Sequence, residues 1–367
     1  MIKDFTDEQR ELRSTVRRLL SEHSAEADVR AQMATEQGYD PKVWTTLATQ
    51  LGVHGLAIPE EYGGQGFSWA ELGIVLEEMG RALLCAPFFA SVVLAANTIL
   101  ESGDEGAKER LLPGIADGST IGTVVLPGEG TNITAARDGD TWTLTGTAEL
   151  VLDGHVANLF VVAATTDDGL RLFTVDGNAE AVTGLTVTPK PTLDQTRKLA
   201  DLTFAGVSAA PLGEGESAEE VLARVRDLAV TGLALEQVGG AAAALDISVD
   251  YLKTRVQFGQ PIGAFQALKH MAADVFVEVE TARSAVYYAM FAAAERSDEL
   301  PAAAALAAAY CSDAFVSTAH QMIQFHGGMG FTWELPAHLY YKRARSSQIL
   351  LGEPQIHRER LAQLIGL

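Results

Sequence analysis

Within Arg255-Val256-Gln257-Phe258-Gly259-Gln260-Pro261-Ile262-Gly263-Ala264-Phe265-Gln266, a fixed guanidinium lies among two glycines, a proline and two aromatic rings. Glycine permits backbone angles and close approaches that other residues resist, and Pro261 cannot continue a preceding helix. A guanidinium held at such a turn can meet a phosphate through two parallel hydrogen bonds. Taken alone, such an arginine is more often a surface ion pair than a ligand. A second glycine-lined bend, Gly327-Gly328-Met329-Gly330, lets backbone N–H groups approach an anion closely, or simply turns the chain between helices. The chain carries 48 Asp+Glu against 27 Lys+Arg, a formal charge of -21. Lys253, Arg255 and Lys269 cluster nevertheless, as do Lys342, Arg343 and Arg345. Positive islands on an anionic chain suggest places where a specific anion is gripped, with helix-end pairing as the alternative.

The elements that must hold these residues are legible in the apolar periodicity. An apolar helical pattern from Ala229 to Tyr251 runs into the Arg255 turn, and another, Gln266 to Ala294, leaves it. Alanine-rich periodicity continues from Ala218 almost to the C-terminus, and the Ala302–Ala309 run indicates tight helix packing. The N-terminal third is also helical. Thr6 and Gln9 have capping-box spacing ahead of Leu12, Val16, Leu19 and Leu20, and Ser68 and Glu71 repeat it ahead of Leu72, Val75, Leu76 and Met79. Val43, Leu47 and Leu51 form a further helix stopped at Gly52. Pro59 to Gly66 is a loop, and Leu111-Leu112-Pro113-Gly114 is expected to break the helical region. From about Thr120 the period changes to two: Trp142, Leu144, Val151, Phe160-Val161-Val162, Leu170 to Val175 and Leu202-Thr203-Phe204 read as strands. Asp138-Gly139-Asp140 reads as a hairpin turn, and Gly213 to Ser217 marks the return to helix. The predicted fold is α+β: an N-terminal helical domain (1–118), a middle β-barrel or sandwich (119–215) and a C-terminal helical bundle (216–367).

Composition narrows the function classes. At 367 residues with 47% hydrophobic content, the chain exceeds one typical domain and argues against disorder. The acidic balance disfavours nucleic acid, whose phosphates would be repelled over most of the surface. Cys85 and Cys311, both in apolar surroundings, read as buried free thiols of a reducing compartment. Met1 to Asp7 shows no secretory signal, and the apolar stretch Ala82 to Ala96 is too short to span a bilayer, so a cytoplasmic protein without a membrane partner is expected. Scattered histidines show no His-Glu-x-x-His motif. There is also no Gly-x-Ser-x-Gly elbow, and no Gly-x-Gly-x-x-Gly after a strand.

Arg255-x-x-Phe258-Gly259-x-Pro261-Ile262-x-x-Phe265-Gln266-x-x-x-His270 resembles the flavin-binding helix hairpin of the acyl-CoA dehydrogenase family. Gln324-Phe325-His326-Gly327-Gly328-Met329-Gly330-Phe331-Thr332 and Pro59-Glu60-Glu61-Tyr62-Gly63-Gly64-Gln65-Gly66 also match, in the family's order. The resemblance spans essentially the whole chain and implies a C-terminal four-helix bundle. It further implies FAD as cofactor, an acyl-CoA substrate, an electron-transfer partner, and a homo- or heterotetramer with a homologous chain. On that basis Arg255, Phe258, Gln266, Gln324, Gly327 and Gly328 are expected to hold the adenine and pyrophosphate half of a neighbouring subunit's FAD. His326 is either a ligand-facing donor or a structurally bonded histidine.

The resemblance weakens at the reacting centre. The family reaction removes two hydrogens across the Cα–Cβ bond of an acyl thioester, with a carboxylate taking the α-proton and flavin the hydride. Aligning Gly352 and Gln355 to the family's base-bearing loop puts Leu351 at the base, and the family's alternative base position aligns with Ala229. Glu353, Glu236 and Asp227 are nearby carboxylates, each equally readable as solvated or ion-paired. The stretches Leu126 to Thr131 and Ala148 to His155 also lack the residues that usually embrace the flavin ring. The combination resembles the partner subunit of two-chain acyl-CoA dehydrogenases of sterol side-chain degradation, or a homomeric member with a relocated base. A non-catalytic scaffold and a flavin oxidase or monooxygenase on the same fold are the other expectations. Small residues Ala90, Ser91 and Ala95 either leave room for a bulky acyl group or pack in the core.

Overall fold

The computed structural model describes residues 5–139, 141–213 and 217–367. Met1 to Asp4, Asp140 and the stretch 214–216, which bear on the signal, hairpin and helix-return readings above, lie outside them. Along the chain run α1 (Asp7–His23), α2 (Glu26–Met33), α3 (Pro41–Thr49), α4 (Trp69–Arg81), α5 (Asn97–Glu101) and α6 (Glu105–Ala116). Strands β1 (Gly122–Val125), β2 (Thr131–Asp138), β3 (Thr141–Leu152), β4 (Leu159–Thr166), β5 (Gly169–Asp176), β6 (Leu185–Lys190) and β7 (Leu199–Leu212) follow. Then come α7 (Ala218–Thr254), the short pair β8 (Val256–Gln257) and β9 (Gln260–Pro261), α8 (Gln266–Ala294), α9 (Leu300–His326), α10 (Ala337–Leu350) and α11 (Pro354–Leu364). The chain gathers into two compact units: Met1–Arg30, Trp69–Leu84 and Val230–Leu367 in one, Ala31–Ser68 and Cys85–Ala229 in the other.

The second unit is built on the β region. Strands β4, β2, β3, β7 and β5 pair in that order, and β5 pairs back onto β4, so the sheet closes on itself as a barrel. Closure removes the exposed edges that an open sheet of this size would present. Alternating residues such as Ile133, Leu144, Phe160, Val162, Phe173, Leu202 and Phe204 fill the interior. In the same unit, Phe89–Ala96 is a π-helix. Asn97 Nδ2 donates to the carbonyls of Val92 and Val93, both at 3.0 Å, partnering groups that the wider turn leaves out of the ordinary helical ladder. Contrary to the expected break, α6 runs through Pro113 to Ala116. Pro113 has no N–H to give the Glu109 carbonyl, but its own carbonyl still accepts the Asp117 amide at 3.0 Å, and the helix ends within that turn.

The first unit is helical. The Thr6–Gln9 box forms as its spacing predicts: Thr6 Oγ1 accepts the Gln9 amide at 3.2 Å, and Gln9 Oε1 accepts the Thr6 amide at 3.0 Å. Helices α4 and α7 cross with their backbones nearly touching. A Cβ on Gly80 would stand 2.0 Å from the Glu236 carbonyl oxygen, and one on Gly239 1.8 Å from that of Glu77. Beside this crossing, Glu77 and Glu78 are buried but paired: Arg17 grips Glu78 with two bonds of 2.8 and 2.7 Å, while Arg13 and the Tyr287 hydroxyl donate to Glu77 at 2.9 and 2.7 Å.

Helices α7 and α9 run parallel. Gln237 bonds Ser312, Gly240 faces Phe315 and Tyr251 stacks on His326, with the same sequence offset separating each pair. Helix α8 returns antiparallel to α9, through Cys311 to the Ala282 carbonyl and Ser317 to Glu278. With α10 these form the C-terminal four-helix bundle. The longest apolar helices are these, not Ala82 to Ala96: Ala218–Thr254 and Leu300–Phe331 have the length and hydropathy to cross a membrane, but the apolar window of the first is entirely buried. Both cysteines are buried free thiols, and burial pushes the Cys311 thiol well above its ordinary range.

Candidate functional site: the Arg255 hairpin and the Gly327 bend

The turn after α7 is a two-residue β-hairpin. Val256 pairs with Pro261 and Gln257 with Gln260, leaving Phe258 and Gly259 at the tip with φ of 54° and 78°. Two consecutive left-handed residues suit the right-handed twist of such a hairpin, and glycine supplies the second without strain. Phe258 is a bulky residue in that region and costs about 1 kcal/mol or more. Phe258 is 91% exposed, and its ring meets that of Phe265 edge-on, centroids 6.1 Å apart. Strained backbone and a solvent-facing ring at one tip fit a surface made to be covered.

Arg255 is fixed through its backbone and left open at its side chain. Its amide donates to the Tyr251 carbonyl at 2.8 Å, and its carbonyl accepts the Ile262 amide at 2.8 Å. The side chain is exposed and has no carboxylate partner among the described residues. Nearby, α8 opens at Gln266, which is exposed, without a side-chain cap on its first turn. Those amide groups add a favourable field for an anion.

The Gly327 bend terminates α9 at the same end of the bundle. Gly327 adopts φ 57° and ψ -138°, and its amide closes onto the Gln324 carbonyl. Nothing lies within 4 Å of where a Cβ on Gly327 or Gly328 would stand, so both backbones face open space. Gln324 is exposed beside them. His326, by contrast, is buried: its Nδ1–H donates to the Met322 carbonyl at 2.7 Å, and its ring lies 4.2 Å from that of Tyr251, inclined by 32°. Burial holds its pKa below the usual histidine range despite the bond to Met322, which favours the charged form. The structure therefore makes His326 a packed residue, and it brings together Tyr251, which periodicity alone had marked only as the end of an apolar stripe.

The second positive island disperses. Arg343 is buried and donates to the Leu84 carbonyl at 3.3 Å, Lys342 lies 4.4 Å above the ring of Trp333, and Arg345 bonds Gln348. Of the first island, Lys253 faces Asp250 at 3.8 Å.

At the positions aligned with the family base the surroundings are aliphatic. Leu351 packs with Leu300 against buried Val230, Ala304 and Ala308, and Ala229 is itself buried. Glu353 is exposed at the N-cap of α11, where its backbone carbonyl, rather than its side chain, bonds the helix. Glu236 and Asp227 are buried on α7, each already engaged in a polar contact. In the barrel unit, Leu150 is exposed with φ 57°, and the buried Leu152 offers only its carbonyl, which accepts Thr123 Oγ1 at 2.6 Å. The small residues of the π-helix serve packing: Ser91 Oγ accepts the Gly122 amide at 2.7 Å, and a Cβ on Gly122 would stand 2.5 Å from that of Ala95.

Comparison with known proteins converges on one family. Residues 6–119 match the acyl-CoA dehydrogenase N-terminal domain and residues 227–366 the acyl-CoA dehydrogenase C-terminal domain. The chain is 37% identical to acyl-CoA dehydrogenase IpdE2 of Mycolicibacterium smegmatis, over 98% of both proteins. Among solved structures it is similar to a variant of the Tcur3481-Tcur3483 steroid ACAD, with 34% identity, a TM-score of 0.88 and 98% of each chain covered. It is also similar to the ChsE4-ChsE5 complex from Mycobacterium tuberculosis, with 28% identity, a TM-score of 0.90, and 99% of this chain and 98% of that one covered. The chain belongs to the acyl-CoA dehydrogenase family.

Proposed function

We propose that this chain is a subunit of an FAD-dependent acyl-CoA dehydrogenase and that it grips the adenosine diphosphate half of a cofactor whose flavin ring belongs to a homologous partner chain. The segments 1–118, 119–215 and 216–367 are its functional parts in this reading. Arg255 pairs with the diphosphate, the exposed backbone of Gly327 and Gly328 lies along it, and Gln266, Gln324 and the ring of Phe258 border the adenosine. One observation carries the reading: a guanidinium without a carboxylate partner stands at the same end of the bundle as two glycines facing open space, while both base positions are aliphatic. These residues fit the tail of a dinucleotide. Leu150, Leu152 and Leu351 do not fit its reactive ring or a proton acceptor.

FAD would supply the hydride acceptor that no side chain can. The α-proton of the acyl thioester then goes to a carboxylate of the partner chain, because Leu351 and Ala229 cannot take it. Oxidation of the reduced assembly falls to an electron-transfer partner. The two related assemblies, one described as a steroid ACAD, support a heteromeric assembly acting on a sterol- or lipid-derived acyl-CoA. The aliphatic base positions also suit a second reading, a scaffold homologue that has lost the chemistry.

The test is to purify the chain alone and with its co-encoded homologue, recording flavin absorbance and acyl-CoA oxidation with an artificial acceptor. Flavin and turnover are expected only in the pair. Fast turnover by the lone chain sinks the partner assignment, and Glu353→Gln then tests a relocated base. Absence of flavin from both preparations favours the scaffold, and oxygen consumption on adding substrate identifies an oxidase.

A further inference from the structure

Two aromatic residues join the halves of the proposed cradle from beneath. Tyr251 lies one helical turn before Arg255, and its carbonyl receives the Arg255 amide at 2.8 Å. His326 lies one residue before Gly327, and the rings of the two residues stack at 4.2 Å. The Nδ1–H···O bond to Met322 fixes the tilt of the imidazole, so the ring cannot turn away from Tyr251. The bend then folds back over the histidine: a Cβ on Gly330 would stand 3.1 Å from that of His326 and 2.5 Å from the Ile323 carbonyl. This close approach explains why the bend carries a third glycine although only the first two face open space.

We propose that the Tyr251–His326 stack is a strut setting the distance between the Arg255 guanidinium and the open backbone of Gly327 and Gly328, which makes both aromatics positioning residues for FAD and not ligands. The proposal rests on the cofactor reading above. A diphosphate reaches two groups at once only when their separation is fixed beforehand, and one stacked pair spans the two helix ends that carry them. Burial disfavours the charged form of the His326 ring.

The experiment is a double-mutant cycle on the full-length chain in its purified assembly, reading the FAD dissociation constant and the melting temperature separately. His326→Ala and Tyr251→Ala are each expected to weaken FAD about five-fold, the range of a single aromatic pair. The double variant should be no weaker than either single one, and His326→Phe should recover the stacking part of the loss. Arg255→Ala is the control for the underlying reading. Losses that simply add, or a lowered melting temperature with unchanged FAD affinity, overturn the strut while leaving the cradle standing. Unchanged affinity in Arg255→Ala, or wild-type assembly that takes up no FAD, overturns the cradle itself.

Discussion

Replacing Leu351 by glutamate would return a carboxylate to the place where the family alignment expects a base. Here that place is an aliphatic pocket formed by Leu300, Val230, Ala304 and Ala308. Losing the partly buried leucine from this cluster costs about 1 kcal/mol, less than the full burial value because the side chain is not enclosed. The larger effect comes from charge. An apolar setting without a cation disfavours the ionised carboxyl and raises its folded pKa, by about 2 units for a partly enclosed group, equivalent to about 2.7 kcal/mol. For an acid whose folded pKa is raised, this penalty is absent below the unfolded value near 4.3. It grows as pH climbs between the two pKa values and is constant above the folded one. The stability gap between wild type and Leu351→Glu, measured by urea unfolding, should therefore widen by about 1.5 kcal/mol between pH 5 and pH 8. In the proposed reading the lone variant should also gain no acyl-CoA oxidation, because the flavin ring belongs to the partner chain. A gap that stays flat with pH would refute the apolar setting, and turnover by the lone variant would refute the division of the site between two chains.

Four further outcomes follow from the geometry. Arg255→Ala should weaken FAD by about 10- to 100-fold, the worth of a charge-assisted bidentate contact, with an unchanged melting temperature because the side chain has no intramolecular carboxylate partner. Gly239→Ala should cost about 4 kcal/mol or prevent folding, as read by circular dichroism, since its Cβ would overlap the Glu77 carbonyl. Arg13→Met should lower stability by about 3 kcal/mol in urea, leaving buried Glu77 with fewer donors. His54, wholly buried with neither ring nitrogen hydrogen-bonded and its pKa pushed down by burial to about 3, favours the neutral ring. Its contribution is full above the unfolded value near 6.5 and falls by up to about 1.4 kcal/mol per unit as pH drops below it. His54→Phe should flatten that slope, and a slope unchanged in the variant would remove His54 as its source.

The helix boundaries at Gln266 and Ala294 and the capping box at Thr6 could be read from the chain because they are set by neighbours a few residues apart. That Leu351 and Ala229, the residues aligned with the family's base positions, are aliphatic needs only the sequence. Pro113 misled because a proline deprives only an earlier carbonyl of its donor, and the helix runs on for the turn in which it sits. The island of Lys342, Arg343 and Arg345 misled because charge along the sequence does not reveal which side chain turns inward, and Arg343 does. Tyr251 passed unnoticed since its partner, His326, is distant in sequence, and contact between them needs α7 and α9 to lie parallel in register.

The uncovered ring at the hairpin tip has a bearing on handling the protein. Phe258 combines a left-handed backbone with near-complete exposure, and Phe331, at the other bend, is 87% exposed. Water contact at two phenyl rings is an incentive to self-association, so a solitary preparation is expected to show concentration-dependent light scattering and a melting point that rises with loading. Co-expression with the proposed partner chain would then act as a solubilising step before it acts as an enzymatic one.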